Sequence, residues 1–350
     1  MKKIFLSLIA ISLIGASCTF NQQEIKVGIV KTANGGVDWQ PANKIVNNEK
    51  SLLARSISQL KFSGNKEKIL ASSFDGGLYS TEDAGENWTE VLGGVAIYDF
   101  VINPYDDQVM YAASYLGERG RLIATKDGGK SWTEVYSDAS TKNPVRAVAL
   151  NPNNPSEIMI GLGKGALIQS SDAGQSWRLV NNYNDRISWI YWQSNSEVYV
   201  VVQKTGLFKS VDNGTSFQQI SKSLVANPDR SRSSIFGNNI ADYRQLAIDP
   251  SNSQSMWLTT DKGLYQSFDG GNSWNYVSMP FGGQKNSGPF AISVASNSGS
   301  TVYASSGSII FKTIDGGRNW SSTDTSTNGL VTSLLVTPDL PQLTFAGVSK

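Results

Sequence analysis

The sequence predicts an all-β fold, a closed β-propeller of seven four-stranded antiparallel blades, and three observations carry that expectation. An eight-residue pattern, Ser/Thr-x-Asp-x-Gly-x-x-Trp, recurs seven times. Its copies start at residues 32, 81, 125, 170, 210, 267 and 313, hence at spacings of 49, 44, 45, 40, 57 and 46 residues, the period of a four-stranded blade. The stretch after the last copy supplies two strands and the stretch around the first supplies two more, so the chain ends complete one blade and leave no open sheet edge.

Each position of the motif has a physical reason. An Asp in a tight turn accepts the N–H groups of its own loop, a hydroxyl two residues earlier adds a second acceptor, and glycine tolerates a positive φ. The Asp positions are Asp83, Asp127, Asp172, Asp212, Asp269 and Asp315, with Asn34 standing in the first copy. The terminal aromatics are Trp39, Trp88, Trp132, Trp177, Trp274 and Trp320, with Phe217 in the fifth copy. Six of the nine tryptophans fall in this slot, which predicts a large ring wedged between neighbouring blades.

Between copies the strands can be counted. Residues 146–150 alternate and stop at Asn151-Pro152, and 157–161, 166–170 and 176–180 follow as three more short strands. The motif therefore falls at the turn between the third and fourth strands. Residues 331–336 and 343–348 are read as the first two strands of the blade whose third and fourth are 27–32 and 37–41.

Composition narrows the chemistry. Of 350 residues, 39% are hydrophobic and 17% charged, enough apolar matter for a core and too little charge for wholesale disorder. The net charge of +1 gives no global attraction to nucleic acid. The chain has no histidine and a single cysteine, which excludes histidine-based catalysis, an intrachain disulfide and a cysteine zinc site. Neither a metal nor a cofactor is expected.

That cysteine lies at the N-terminus. Lys2 and Lys3 precede an apolar run from Ile4 to Ile14, and Gly15-Ala16-Ser17 leads into Cys18. Residues 1–17 read as a signal peptide, Cys18 as a lipidation site, 19–24 as a short tether and 25–350 as the propeller. Gly15 stands where leucine is usual, so cleavage after Ser17 without lipidation is the second reading. Both make the chain an exported protein, either membrane-anchored through lipid or secreted.

The motif resembles the Asp-box, or bacterial neuraminidase repeat, found in sialidases, xyloglucan-cleaving glycosidases, sortilin-type receptors and photosystem II stability and assembly factors. A single exported ring of this size is most similar to the last group. That resemblance implies a non-catalytic propeller that binds a protein partner through an arginine-rich patch. The Arg-Ile-Pro motif of sialidases does not occur here.

Counting back from the second strands places Arg146, Arg186 and Arg244 each 12 residues before Ile158, Val198 and Met256, with Tyr98, Phe290 and Thr332 in the same register elsewhere. These arginines, with Arg55, are expected at one rim of the central channel, opposite the motifs. Loops on that face add Arg119 and Arg121, and the insertion at 221–242 adds Arg230 and Arg232. Guanidinium forks suit an acidic or extended segment of a protein partner. The structural alternative is that they pair with rim carboxylates such as Asp185 and Asp242. The enzymatic alternative is a glycoside hydrolase, or a glycan-binding propeller, that uses the carboxylates Asp185 and Asp242.

Overall fold

The computed structural model describes residues 27–46, 51–52, 55–64, 66, 68–193, 196–221, 224, 241–280, 290–296, 298–338 and 340–350. Cys18, the segments 1–17 and 19–24, Arg230 and Arg232 lie outside the described residues. Seven four-stranded antiparallel sheets are present. Blade 1 comprises Ile57–Phe62, Ile69–Ser73, Gly77–Thr81 and Thr89–Gly93, and blade 2 comprises Ala96–Asn103, Asp106–Leu116, Arg119–Thr125 and Thr133–Thr141. Blade 3 is Val145–Asn151, Asn154–Leu162, Ala166–Ser170 and Arg178–Asn182; blade 4 is Ile187–Trp192, Val198–Val202, Gly206–Ser210 and Gln218–Gln219. Blade 5 is Tyr243–Asp249, Asn252–Thr260, Gly263–Ser267 and Asn275–Val277; blade 6 is Ile292–Val294, Val302–Ser306, Ile309–Thr313 and Ser321–Asp324.

Blade 7 joins the two ends of the chain. Leu330–Val336 and Thr344–Ser349 form its inner half, and Gly28–Thr32 and Gln40–Pro41 its outer half. Gly28 pairs with Val348, and the ladder runs on through Ile29–Gly347, Val30–Ala346 and Lys31–Phe345 to Thr32–Thr344. First strands of neighbouring blades touch all the way round, from blade 7 back to blade 1. Seam bonds reinforce the ladder: Thr332 Oγ1 donates to the Ile57 carbonyl at 2.8 Å, and Leu60 N donates to Ser333 Oγ at 2.9 Å.

The core is distributed among the blade interfaces. Ile29, Ile57, Trp88 and Phe345 bury together between blades 7 and 1, and Val148, Leu150, Tyr111 and Leu122 between blades 2 and 3. Equivalent clusters fill the remaining interfaces. Trp88 is fully buried, and its Nε1 donates to the Ala42 carbonyl of the preceding blade at 2.8 Å. Trp177 makes the same kind of bond to the Val135 carbonyl at 3.0 Å. Trp88 and Trp177 thus carry both an apolar contact and an interblade hydrogen bond, whereas Trp132, Trp274 and Trp320 donate to the glycine carbonyl of their own motif.

The motif turn repeats atom for atom. In blade 3, Ser170 Oγ donates to Asp172 Oδ1 at 2.8 Å, while Ser176 N and Gly174 N donate to Asp172 Oδ1 and Ser170 Oγ at 2.9 and 2.8 Å. The fifth-position glycines all have φ between 79° and 94°. A Cβ at Gly129 would also lie 2.2 Å from Val91 of the preceding blade, so conformation and packing both require glycine there. In the first copy Asn34 keeps the acceptor role, receiving Thr32 Oγ1 at 2.8 Å, and its Nδ2 donates to Asp38 at 3.0 Å. The donor and the carboxylate have exchanged ends of the turn.

Hydrogen bonds from Ser176 hold Asp172 down at about 2, and those from Ser273 hold Asp269 down at about 2. The backbone N–H and side chain of Asn319 do the same for Asp315, also at about 2. Because these folded-state values lie below the ordinary aspartate value near 4, the stabilisation is complete above that value and is lost as pH falls toward 2. Denaturant midpoints are therefore expected to fall over this acid range, and Asp172→Asn to flatten the decline. Removing the buried ring by Trp88→Ala is expected to cost about 3–5 kcal/mol of unfolding free energy, measured by denaturant titration.

Candidate functional site at the channel mouth

The motif turns share a face with the turns between first and second strands: Gly128 N bonds the Gln108 carbonyl at 3.0 Å and Ala173 N the Ser156 carbonyl at 2.8 Å. Starts of first strands meet the turns between second and third strands on the opposite face, as Gln203 N to the Arg186 carbonyl (2.8 Å) and Gly163 N to the Pro144 carbonyl (2.9 Å) show. Arg146, Arg186 and Arg244, at the starts of first strands, therefore lie across the disc from the motifs.

A bulge shapes this mouth. In six blades the ladder between first and second strands skips one residue of the first strand: Ser58, Tyr98, Arg146, Ser188, Arg244 and Thr332. A bulge re-aims a side chain without ending the strand. Arg146 and Arg244 occupy it, as the register expected. Arg186 does not, since Ser188 holds that position in blade 4 and Arg186 lies two residues earlier, exposed at the blade's entry. The count of 12 failed because the connection between strands is residues 193–197 in blade 4 but 151–157 in blade 3.

Both bulge arginines stack on an aromatic ring of a neighbouring blade. The Arg146 guanidinium lies 4.0 Å from the centre of the Tyr98 ring, and Tyr98 in turn packs at 5.5 Å against Phe74. Arg244 lies 3.8 Å from the Phe290 ring. Burial lowers the pKa of both groups below the ordinary arginine value. Around Arg244, Asp261 and Asp242 oppose that effect; beside Arg146, the like charge of Arg186 adds to it. Arg146 Nε is buried and makes no hydrogen bond among the described residues.

The other named residues have local duties. Arg55 Nη1 donates to the Asp75 carbonyl at 2.7 Å, and Arg121 is paired with Glu134 at 2.7 Å on the outer half of blade 2. Arg119 is exposed at the neighbouring hairpin. Asp185 does not bind the Arg186 guanidinium; it accepts Arg186 N, Lys204 N and Thr205 Oγ1 at 2.8, 2.6 and 3.2 Å. Asp242 accepts Gln203 Nε2 at 3.4 Å, and its N–H donates to Asp261 Oδ1 at 2.7 Å. The two carboxylates bracket the turn at 203–205 as acceptors. No cluster of acidic, cysteine or histidine side chains that could hold a metal ion occurs among the described residues.

Sequence reasoning missed the floor of the mouth. Lys61 of blade 1 bonds Asp99 of blade 2 at 2.6 Å and reaches within 5.7 Å of the Trp189 ring in blade 4. Asp99 is buried and also accepts Val148 N of blade 3 at 3.0 Å. Between one and three residues past the bulges, Lys61, Asp99, Val148 and Trp189 thus link four blades. Nothing local in the sequence marks Lys61 or Asp99.

A family model for Sortilin-Vps10, described as sortilin, neurotensin receptor 3, matches residues 76–206. No curated protein matches the sequence. Among solved structures, a GH74 xyloglucanase from Xanthomonas campestris superposes with a TM-score of 0.67 at 15% identity, covering 93% of this chain and 52% of its own. A GH74 enzyme from Niastella koreensis gives 0.66 at 18% identity, covering 84% and 51%. This chain spans about half the length of those enzymes. A structure of YCF48 bound to D1 peptide gives 0.60 at 14% identity, covering 85% of this chain and 94% of that one. At such identities the likeness is one of fold alone.

The stacked pair gives a direct expectation. Tyr98→Ala is expected to lower the unfolding free energy by roughly 1–2 kcal/mol through loss of the cation–π contact, and Tyr98→Phe to retain it, both read from denaturant curves.

Proposed function

We propose that this chain is an exported, non-catalytic scaffold that holds an acidic or extended segment of a partner protein at the mouth formed by Arg146, Arg186 and Arg244. One observation carries the reading. Arg146 is stacked and desolvated beside a second cation, yet no ion pair to a carboxylate satisfies it among the described residues. A half-buried guanidinium with an unsatisfied Nε and no counter-ion carries a desolvation cost, and an incoming carboxylate offsets it while gaining charge-assisted hydrogen bonds. The Tyr98 ring fixes the plane of the guanidinium before the ligand arrives.

The likeness to a ring that holds a D1 peptide, nearly whole chain to whole chain, agrees with a protein partner. Anchoring through Cys18 would present this mouth near a membrane, where the partner is expected. The hydrolase alternative finds no support at its proposed pair: Asp185 and Asp242 serve as acceptors for the turn between them, whereas a general acid needs a carboxyl free to carry a proton.

The test is direct binding of a polyglutamate peptide, with polyglutamine as control. The acidic peptide is expected to bind, and joint replacement of Arg146 and Arg186 by Ala is expected to weaken it by about 10–100-fold. Raising the salt from about 0.1 M to about 1 M should erase much of the preference. Equal affinity of the double variant, or oligosaccharide turnover abolished by Asp185→Asn, would overturn the reading.

A further inference from the structure

The residue just before each motif hydroxyl varies: Lys31, Ser80, Ala124, Gln169, Lys209, Gln266 and Lys312. Two of the three lysines there cross the interface, Lys31 also pairing with Glu86 of the next blade, while Lys209 pairs with Glu197 of its own blade at 2.8 Å. Lys31 of blade 7 donates to the Ala84 carbonyl of blade 1 at 2.9 Å, and Lys312 of blade 6 donates to the Gly35 carbonyl of blade 7 at 2.9 Å. Ala84 and Gly35 are both fourth in their motifs. At these two interfaces the fourth carbonyl is an ammonium acceptor.

Blade 1 departs from this pattern. Ser80 occupies the lysine position and pairs across the ladder with Leu70, where blades 7 and 6 place Phe345 and Tyr303. The fourth residue of the motif it faces is Gly128. Between Ser80 and Gly128 lies a cleft of about 200 Å³, far above the roughly 10–15 Å³ that one water requires by the same measure. Its wall is apolar, from Leu70, Val91, Ile102 and Met110, and its polar end carries Asp107, Gln108 and the Gly128 backbone. Blade 2 also has a short residue, Ala124, but Tyr111 lies opposite it, and Tyr136 packs edge-on at 5.5 Å against Trp177 to close that interface.

We infer that this cleft between blades 1 and 2 receives a primary ammonium group on an apolar stem, as carried by a lysine side chain of a partner protein. The stem lies along Leu70, Val91, Ile102 and Met110, and the ammonium takes the place at Gly128 that Lys31 and Lys312 fill at the fourth carbonyls of blades 1 and 7. The cleft's own lysines have other positions: Lys68 is paired with Glu82 at 2.7 Å, and Lys130 is exposed. The site is on the motif face and is independent of the arginine mouth.

The experiment titrates n-butylammonium, n-butanol and butyrate into the full chain and follows the Met110 methyl resonance. Saturable shifts with n-butylammonium, at least about tenfold tighter than with n-butanol and absent with butyrate, are expected. Ser80→Lys should abolish the response by placing its own ammonium in the cleft, and should raise the thermal midpoint. Should that variant fail to fold, Ser80→Gln, the side chain blades 3 and 5 carry, reads the same outcome. Nα-acetyl-lysine methylamide should bind at least as tightly as n-butylammonium; weaker binding would overturn the assignment to a protein lysine. An equal response to n-butanol, or one that survives in a folded Ser80→Lys chain, would overturn the site itself.

Discussion

Five backbone pairs between Gly28–Thr32 and Thr344–Ser349 convert a row of sheets into a ring, and every other interface depends on them. Each blade buries its apolar face only against its neighbours, so an open row would leave two faces and two sheet edges to solvent. The ladder joins residues more than three hundred positions apart. The entropic cost of such closure grows only logarithmically with loop length, which makes the seam affordable in stability but slow to form. The N-terminal strand must wait for nearly the whole chain before it finds its partner.

Sequence and structure agree most closely where the information is local. The motif turn was legible because its acceptors and donors lie within eight residues, and even the Asn34 copy could be recognised, since an amide oxygen accepts as a carboxylate does. Closure was legible because the leftover strands added up to one blade. Arg186 shows where such counting fails: a connection two residues shorter between the strands of blade 4 moved Ser188 into the bulge, and only pairing in space reveals a ladder's register. Tyr98 and Phe290 were visible at the right positions, but that they are platforms for the arginines follows from contact between blades, which no period encodes.

The two faces of the disc are built differently. On the motif face, hydrogen bonding is satisfied turn by turn, and differences among blades arise from what fills the grooves, as at Ser80. On the mouth face the differences arise from what occupies the bulge, where six backbone positions of like geometry carry serine, tyrosine, arginine or threonine. A repeat architecture can in this way hold its backbone constant while assigning distinct chemistry to each segment of the rim.

The tie from Lys61 through Asp99 toward Trp189 has a consequence for how anything can be held there. A charged side chain reaching from blade 1 toward blade 4 narrows the opening at that depth. A polypeptide drawn through it would have to displace the Lys61–Asp99 pair. A chain end or the tip of a loop can enter and leave by the same side without disturbing that pair.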